Sequence, residues 1–174
     1  MFLSDIDIKK ALEAKEIVIS DFDEKRLQPA SYDILLNKFL VFRHHTPYID
    51  PVKKILPEYR EIILNDDETF VLHPVSILGV SIDYFGSDKY LVQLSKSSLA
   101  RILLVHNTAG IINPGHFLNI TFELCNLNSV PIILRPKMEI AQILFSKISS
   151  PCSKDYKKVR FKDEDNFVSY QEKK

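Results

Sequence analysis

The segment Lys96-Ser97-Ser98-Leu99-Ala100-Arg101 sets two cations and two hydroxyls side by side directly after an apolar run that ends at Leu94. Read as a helix start, it is an anion site, because the free N–H groups of a first turn and the helix dipole both favour phosphate. The same residues also fit a capped surface helix with solvated ends, and a motif this short does not separate the two readings. Further along, Ile120-Thr121-Phe122-Glu123-Leu124-Cys125 alternates with period two, so that Thr121, Glu123 and Cys125 share the face opposite Ile120, Phe122 and Leu124. A carboxylate in so apolar a strand, if partly buried, acquires the raised pKa that a general base or acid needs near neutral pH. An exposed glutamate on a surface strand is the commoner arrangement, and the alternation alone leaves both open.

Between these two segments runs Thr108-Ala109-Gly110-Ile111-Ile112-Asn113-Pro114-Gly115, whose Asn-Pro-Gly ending is hairpin chemistry. Asn113 either stabilises that turn or donates to a sugar hydroxyl. Zinc-dependent base deaminases hold a metal-bound hydroxide with H-x-E and P-C-x-x-C segments. None of His44, His45, His73, His106 and His116 has a Glu two residues on, and Pro151-Cys152 has no second cysteine at the required spacing. No protein-bound metal is therefore expected, and His44, His45 and His73 read as loop and strand-end residues. G-x-S-x-G, P-loop and G-x-G-x-x-G patterns are missing too, which leaves the common hydrolase, kinase and dehydrogenase readings without support.

The elements that must position these residues are short and numerous. Ser4 followed by Asp7 reads as a helix start, with Ile8, Ala11 and Leu12 on one face until Glu16-Ile17-Val18-Ile19 turns strand-like. Apolar runs bounded by Pro, Asp, Asn, Ser or Gly then predict strands at Ile34–Leu36, Phe39–Phe42, Ile62–Leu64, Thr69–Leu72, Ile77–Ile82 and Tyr90–Leu94. Gly110–Asn113, Leu118–Cys125, Ile132–Leu134 and Ile140–Phe145 continue the pattern, which only a helix over Lys96–Val105 interrupts. Such a series suggests an antiparallel barrel or sandwich. The 174 residues suit one domain over 1–150, followed by a polar, lysine-rich tail over 151–174.

Composition narrows the partners. The formal net charge is zero, so no global field draws in a nucleic-acid polymer, and a small phosphate ligand bound by a few local cations fits better. Cys125 and Cys152 form no CxxC, and the start Met1-Phe2-Leu3-Ser4-Asp5 lacks the basic and apolar halves of an export signal, so a cytoplasmic location is expected. No apolar run approaches the roughly 20 residues that span a bilayer, and no membrane partner is expected.

Taken in order, Ser4-Asp5-Ile6-Asp7-Ile8, Gln28-Pro29-Ala30-Ser31-Tyr32-Asp33, Leu72-His73-Pro74, Lys96 to Arg101, Thr108 to Gly115, Glu123 and Ile140-Ala141-Gln142-Ile143 resemble the dCTP deaminase family, including its bifunctional dCTP deaminase/dUTP diphosphatase branch. The resemblance implies a mainly β chain, a dUTPase-like β-barrel or distorted jelly roll with a short N-terminal helix and one internal helix. It also implies a homotrimer with active sites between subunits and a substrate, dCTP or dUTP, that arrives as a triphosphate carrying Mg2+, without zinc. The implied catalytic residues are Glu123, Ser97 and Arg101. Glu123 would take a proton from water, the hydroxide would attack C4 of cytosine, and the carboxylic acid would return protons to N3 and the departing ammonia. Lys96, Ser98, Ala109, Asn113, Thr121, Phe122, Gln142 and Tyr156 would bind substrate, with Arg160 and Lys162 of the closing tail reaching the phosphates.

The activity implied first is zinc-independent hydrolysis of the cyclic amidine C–N bond of dCTP to give dUTP and ammonia, in pyrimidine deoxynucleotide synthesis leading to dUMP and dTTP. Alternatives are a bifunctional dCTP deaminase/dUTP diphosphatase, or a dUTP diphosphatase, and a non-catalytic nucleotide-binding trimer. The chain departs from the family pattern where Lys96 replaces an arginine, Asn113 an aspartate, Leu118 a glycine and Glu164 a glutamine. Lysine lacks the planar fork of arginine, and a carboxamide cannot serve as a base. Ala109-Gly110-Ile111, without an arginine at its third position, looks like the bifunctional branch.

Overall fold

The computed structural model describes residues 1–43, 47–50, 52–53, 55, 58–106, 110–154 and 156. Among the sequence-based candidates, Ala109, Arg160 and Lys162 lie outside the described residues, as do Thr108, Glu164, His44 and His45.

Along the chain come α1 (Asp5–Glu13), β1 (Val18–Ile19), a single 3-10 turn at Glu24–Arg26, β2 (Leu27–Gln28), β3 (Ser31–Arg43), β4 (Glu58–Ile63), β5 (Phe70–Leu72), β6 (Ser76–Gly86) and β7 (Tyr90–Ser95). After these come α2 (Ser97–Arg101), β8 (Leu104–His106), β9 (Ile111–Ile112), β10 (Phe117–Asn126), β11 (Ile132–Leu134) and β12 (Glu139–Lys147). The chain is mainly β, as expected. The principal sheet runs β8-β10-β6-β3-β12-β7-β9, with β1 added on β6 and both β2 and β4 on β3, while β11 and β5 pair separately.

The curl of this sheet originates in β3. Its first half pairs with β12 through Tyr32–Leu35, and its second half pairs with β6 and β4, with a register shift between Leu36 and Lys38. A bulge at that point bends the strand and raises its twist, which lets one long strand serve two walls of a barrel-like fold. The two separate strands expected at Ile34–Leu36 and Phe39–Phe42 are thus one element, because a bulge absorbs the polar Asn37-Lys38 break without ending the ladder.

Inside the curl lie Tyr32, Ile34, Leu36, Phe85, Phe122, Leu124, Ile140, Ile143 and Phe145, all fully buried. In β10, Ile120, Phe122 and Leu124 point inward and Thr121, Glu123 and Cys125 are half-buried, as the period-two pattern predicts. α1 closes one end: Ser4 accepts from the Asp7 N–H, and Ile8 and Ala11 face the core. Phe2 bridges to Ser146 and the Leu3 N–H donates to Phe145 O, which binds the N-terminus to β12. Asn126 joins the small sheet to the large one, its amide donating to Leu72 O and Val130 O at 2.9 Å each.

The expected helix over Lys96–Val105 ends at Arg101. Leu103 adopts a φ of 59°, a left-handed conformation that no α-helix continues through, and Leu104–His106 then pairs with the end of β10. Tertiary pairing overrides a helical pattern here. Among the described residues, no helix is long and apolar enough to cross a membrane.

Candidate active site

Lys96 is the N-cap residue of α2, and its ammonium is already held: Nζ lies 2.6 Å from Asp33 Oδ1 and 3.0 Å from Glu139 Oε2. Burial works against this charge, but the hydrogen bonds to Asp33 and Glu139 outweigh it and raise the lysine pKa above its ordinary value. Asp33 is fixed in turn by Gln28, whose Nε2 donates to its second oxygen at 3.0 Å. The partner strands converge at the same place, since Gln142 of β12 lies opposite both Asp33 and Ser95 and accepts from the Ser31 hydroxyl at 3.3 Å.

Ser97, Ser98 and Arg101 project from α2 into solvent. With only five residues, α2 is barely more than one turn, so its dipole is weak, and any anion here is bound by side chains and the first free N–H groups. The sequence-based picture of a helix terminus as the anion site therefore shrinks to a cluster of Lys96, two serines and Arg101.

Glu123 stands on β10, half-buried, beside Leu78 of β6. Desolvation raises its pKa above the usual glutamate value, with its own backbone N–H pulling the other way. The strand beside it, β8, covers only Leu124–Asn126. Along the remainder of β10, through Thr121, Phe122 and Glu123, no strand lies on the edge away from β6 among the described residues. That edge has the backbone N–H and C=O groups with which a flat polar ring is recognised.

No hydrogen bond or ion pair joins Glu123 to Ser97 or Arg101 among the described residues. Asn113 is exposed at the turn after β9 and its carbonyl accepts from the His116 N–H. Because β9 pairs antiparallel with β7 through Val92↔Ile112 and Gln93↔Ile111, Asn113 extends toward the start of β7 while Lys96 follows its end. At about 3.3 Å per residue the two are roughly 16 Å apart along the strand. One chain thus spreads its candidate residues over both ends of β7.

The turn after Asn113 is tightly built. Gly115 has a φ of +85°, and a Cβ on Gly86, at the facing end of β6, would stand 2.6 Å from His116 O. Both positions need glycine. Tyr156 stacks on His116 with ring centroids 4.6 Å apart and lines, with Gly115, Lys89 and Lys154, a cleft of about 780 Å³.

His106, not given a role from sequence, ends β8 opposite Leu124 with its ring 5.5 Å from that of Phe122. Its Nε2 is buried without a partner among the described residues. Desolvation lowers its pKa, against the effect of a hydrogen bond with the Ile140 backbone, and so favours the neutral ring. A group with a depressed folded-state pKa contributes stability above its unfolded value, near 6.5, that is lost as pH falls toward the folded value. Urea unfolding is accordingly expected to show stability falling below about pH 6.5, with a shallower fall in His106→Gln; equal slopes for the two proteins would refute the assignment.

Asp33 and Glu139 are the partners that sequence reasoning passed over. Asp33 had a signal, since a carboxylate inside Ser-Tyr-Asp-Ile-Leu-Leu has to find a counter-charge once that run becomes a buried strand. Glu139 had none, because it meets Lys96 only through the pairing of β12 with β7.

Comparison with known proteins gives the following matches. A family profile described as dCTP deaminase-like matches residues 2–148. The "dCTP deaminase, dUMP-forming" of Tropheryma whipplei (strain Twist) is 44% identical over 162 residues, covering 90% of this chain and 83% of that protein. The protein of the same description from Dictyoglomus turgidum is 42% identical over 167 residues, with 91% and 86% covered, and that from Methanopyrus kandleri is 39% identical over 165 residues, with 88% and 86% covered. Among solved structures, the 2'-deoxycytidine 5'-triphosphate deaminase from Agrobacterium tumefaciens superposes with a TM-score of 0.62 at 18% identity, covering 83% of this chain and 47% of that one. This chain therefore spans about half the length of that structure, and at such identity the likeness is one of fold.

Proposed function

Since the chain belongs to the dCTP deaminase-like family, we propose that it hydrolyses dCTP at the C4–N4 bond, releasing ammonia, and with a second water at the bond between the α- and β-phosphates, releasing pyrophosphate and leaving dUMP. The observation that carries the deaminase reading is Glu123, a half-buried carboxylate with a raised pKa beside a strand edge that no strand covers among the described residues. The onward step to dUMP is supported by the names of relatives at 44% and 42% identity.

In this reading the ionised Glu123 takes a proton from water, and the resulting hydroxide adds to C4. The carboxylic acid so formed protonates N3; the regenerated carboxylate then takes the proton of the new C4 hydroxyl and delivers it to the amino nitrogen, so that C4=O forms as the C4–N4 bond breaks and ammonia leaves. Backbone groups of Thr121 and Phe122 hold the base edge, and Asn113 the sugar hydroxyl. The triphosphate, entering with Mg2+, meets Lys96 and Ser98, with Gln142 and Tyr156 near the nucleotide. Ser97 and Arg101 orient water and carboxylate from a neighbouring subunit of a homotrimer, which accounts for the absence, among the described residues, of a hydrogen bond or ion pair between them and Glu123 inside one chain.

The test is incubation with dCTP and magnesium, resolving dCTP, dUTP and dUMP by chromatography. Accumulating dUMP is expected. A second reading, deamination that stops at dUTP, is favoured by Asn113, whose carboxamide cannot accept a proton from attacking water; dUTP as the end product would establish it. Unchanged dCTP would overturn both.

A further inference from the structure

We propose that Glu139 is a built-in competitor of the nucleotide's phosphates for Lys96, and that this one carboxylate sets the affinity for the triphosphate. The inference rests on the reading of Lys96 as a phosphate contact.

The two carboxylates on Lys96 are not equivalent. Asp33 has a side chain only 5% exposed, sits within β3 opposite Gln142, and has Gln28 on its other oxygen. Taking the lysine away from it would leave an uncompensated buried charge, the costly way to break an ion pair. Glu139 has a side chain 53% exposed, is the first residue of β12, and holds Lys96 at the longer distance of 3.0 Å. It can rotate into water at little cost, as partners of exposed ion pairs do.

Charge points the same way. One ammonium between two carboxylates leaves the cluster at a net charge of −1, which opposes an approaching triphosphate. When Glu139 swings out, the cluster becomes a neutral Lys96–Asp33 pair. Of the three ammonium donors, one stays on Asp33 and two are open to phosphate oxygens. Asp33 is thus the anchor that keeps Lys96 aimed at the start of α2, and Glu139 is the occupant that substrate displaces. An exposed glutamate near a phosphate site would otherwise be a plain liability. Here it satisfies a lysine whose side chain is only 12% exposed until the ligand arrives.

The experiment compares wild type, Glu139→Gln and Glu139→Ala in dCTP turnover at low ionic strength, with inorganic tripolyphosphate as a competitive inhibitor. Both variants are expected to lower KM for dCTP by about two- to fivefold at unchanged kcat, and to strengthen tripolyphosphate inhibition by the same factor. In a Lys96→Met background the same substitutions are expected to change neither quantity. Unchanged or raised KM and inhibition constants in an enzyme that turns dCTP over would overturn the role of Glu139 while leaving the function intact. A protein with no turnover would overturn the functional reading instead, and calorimetric titration of tripolyphosphate into the same variants then decides Glu139 by the same comparison.

Discussion

Glu123→Gln is expected to lower kcat for dCTP deamination by about a thousandfold or more, near the upper end of what a positioned acid–base group contributes, because the same carboxylate both takes and returns protons. Gln is isosteric and keeps one carbonyl acceptor, so binding of dCTP, read by calorimetry, is expected to change less than about threefold. Stability gives an independent check. The folded-state pKa of Glu123 is raised by desolvation, so its favourable contribution exists below the unfolded glutamate value and is lost as pH rises through the folded one. At pH 8 the ionised side chain therefore costs stability that the amide does not, and Glu123→Gln should unfold at an equal or higher temperature than wild type. For the wild type, the same shift moves the acid limb of kcat/KM above the ordinary glutamate value of about 4.3. A variant that loses activity and stability together would mark Glu123 as structural, and retained turnover would remove it as the base.

How far these features were visible beforehand depends on the range of the interaction that makes them. Ser4 and Asp7 cap a helix within a single turn, and the alternation Ile120, Phe122, Leu124 is a property of one strand, so both are legible in the chain. The merging of two apolar runs into β3 depends on β6 and β12 lying beside it, and the short α2 depends on Leu103 entering a left-handed turn so that β8 can pair with β10. Neither is local. The same holds at the site: Lys96 was visible as a cation near a phosphate-binding pattern, whereas its capture by Asp33 and Glu139 joins residues 63 and 43 positions away. A family pattern supplies the order of motifs, and only the sheet supplies their distances.

The second large effect concerns the buried pair that holds the start of β3. Arg26 Nη1 lies 2.8 Å from Asp83 Oδ1 and donates to Oδ2 at 2.9 Å, while the Asp83 side chain is 1% exposed and also accepts from the Leu35 N–H at 3.3 Å. The guanidinium lies 4.7 Å over the Tyr32 ring, Tyr32 stacks on Phe22, and the second guanidinium nitrogen donates to Asp21 O. Arg26→Met keeps the length of the side chain but strands Asp83, which is expected to cost about 3–5 kcal/mol, a large share of the roughly 5–15 kcal/mol that holds such a domain folded. Adding Asp83→Asn removes the orphaned charge yet keeps an acceptor for Leu35, so the double variant should regain more than half of the loss in urea unfolding. The consequence reaches the site because Tyr32 precedes Asp33, the anchor of Lys96. Arg26→Met should therefore raise KM for dCTP more than it lowers kcat, and the double variant should restore KM along with stability. If the double variant is no more stable than the single one, the ion pair is not what Asp83 needs, and the fold holds β3 through the Tyr32 stack and its hydrogen bonds instead.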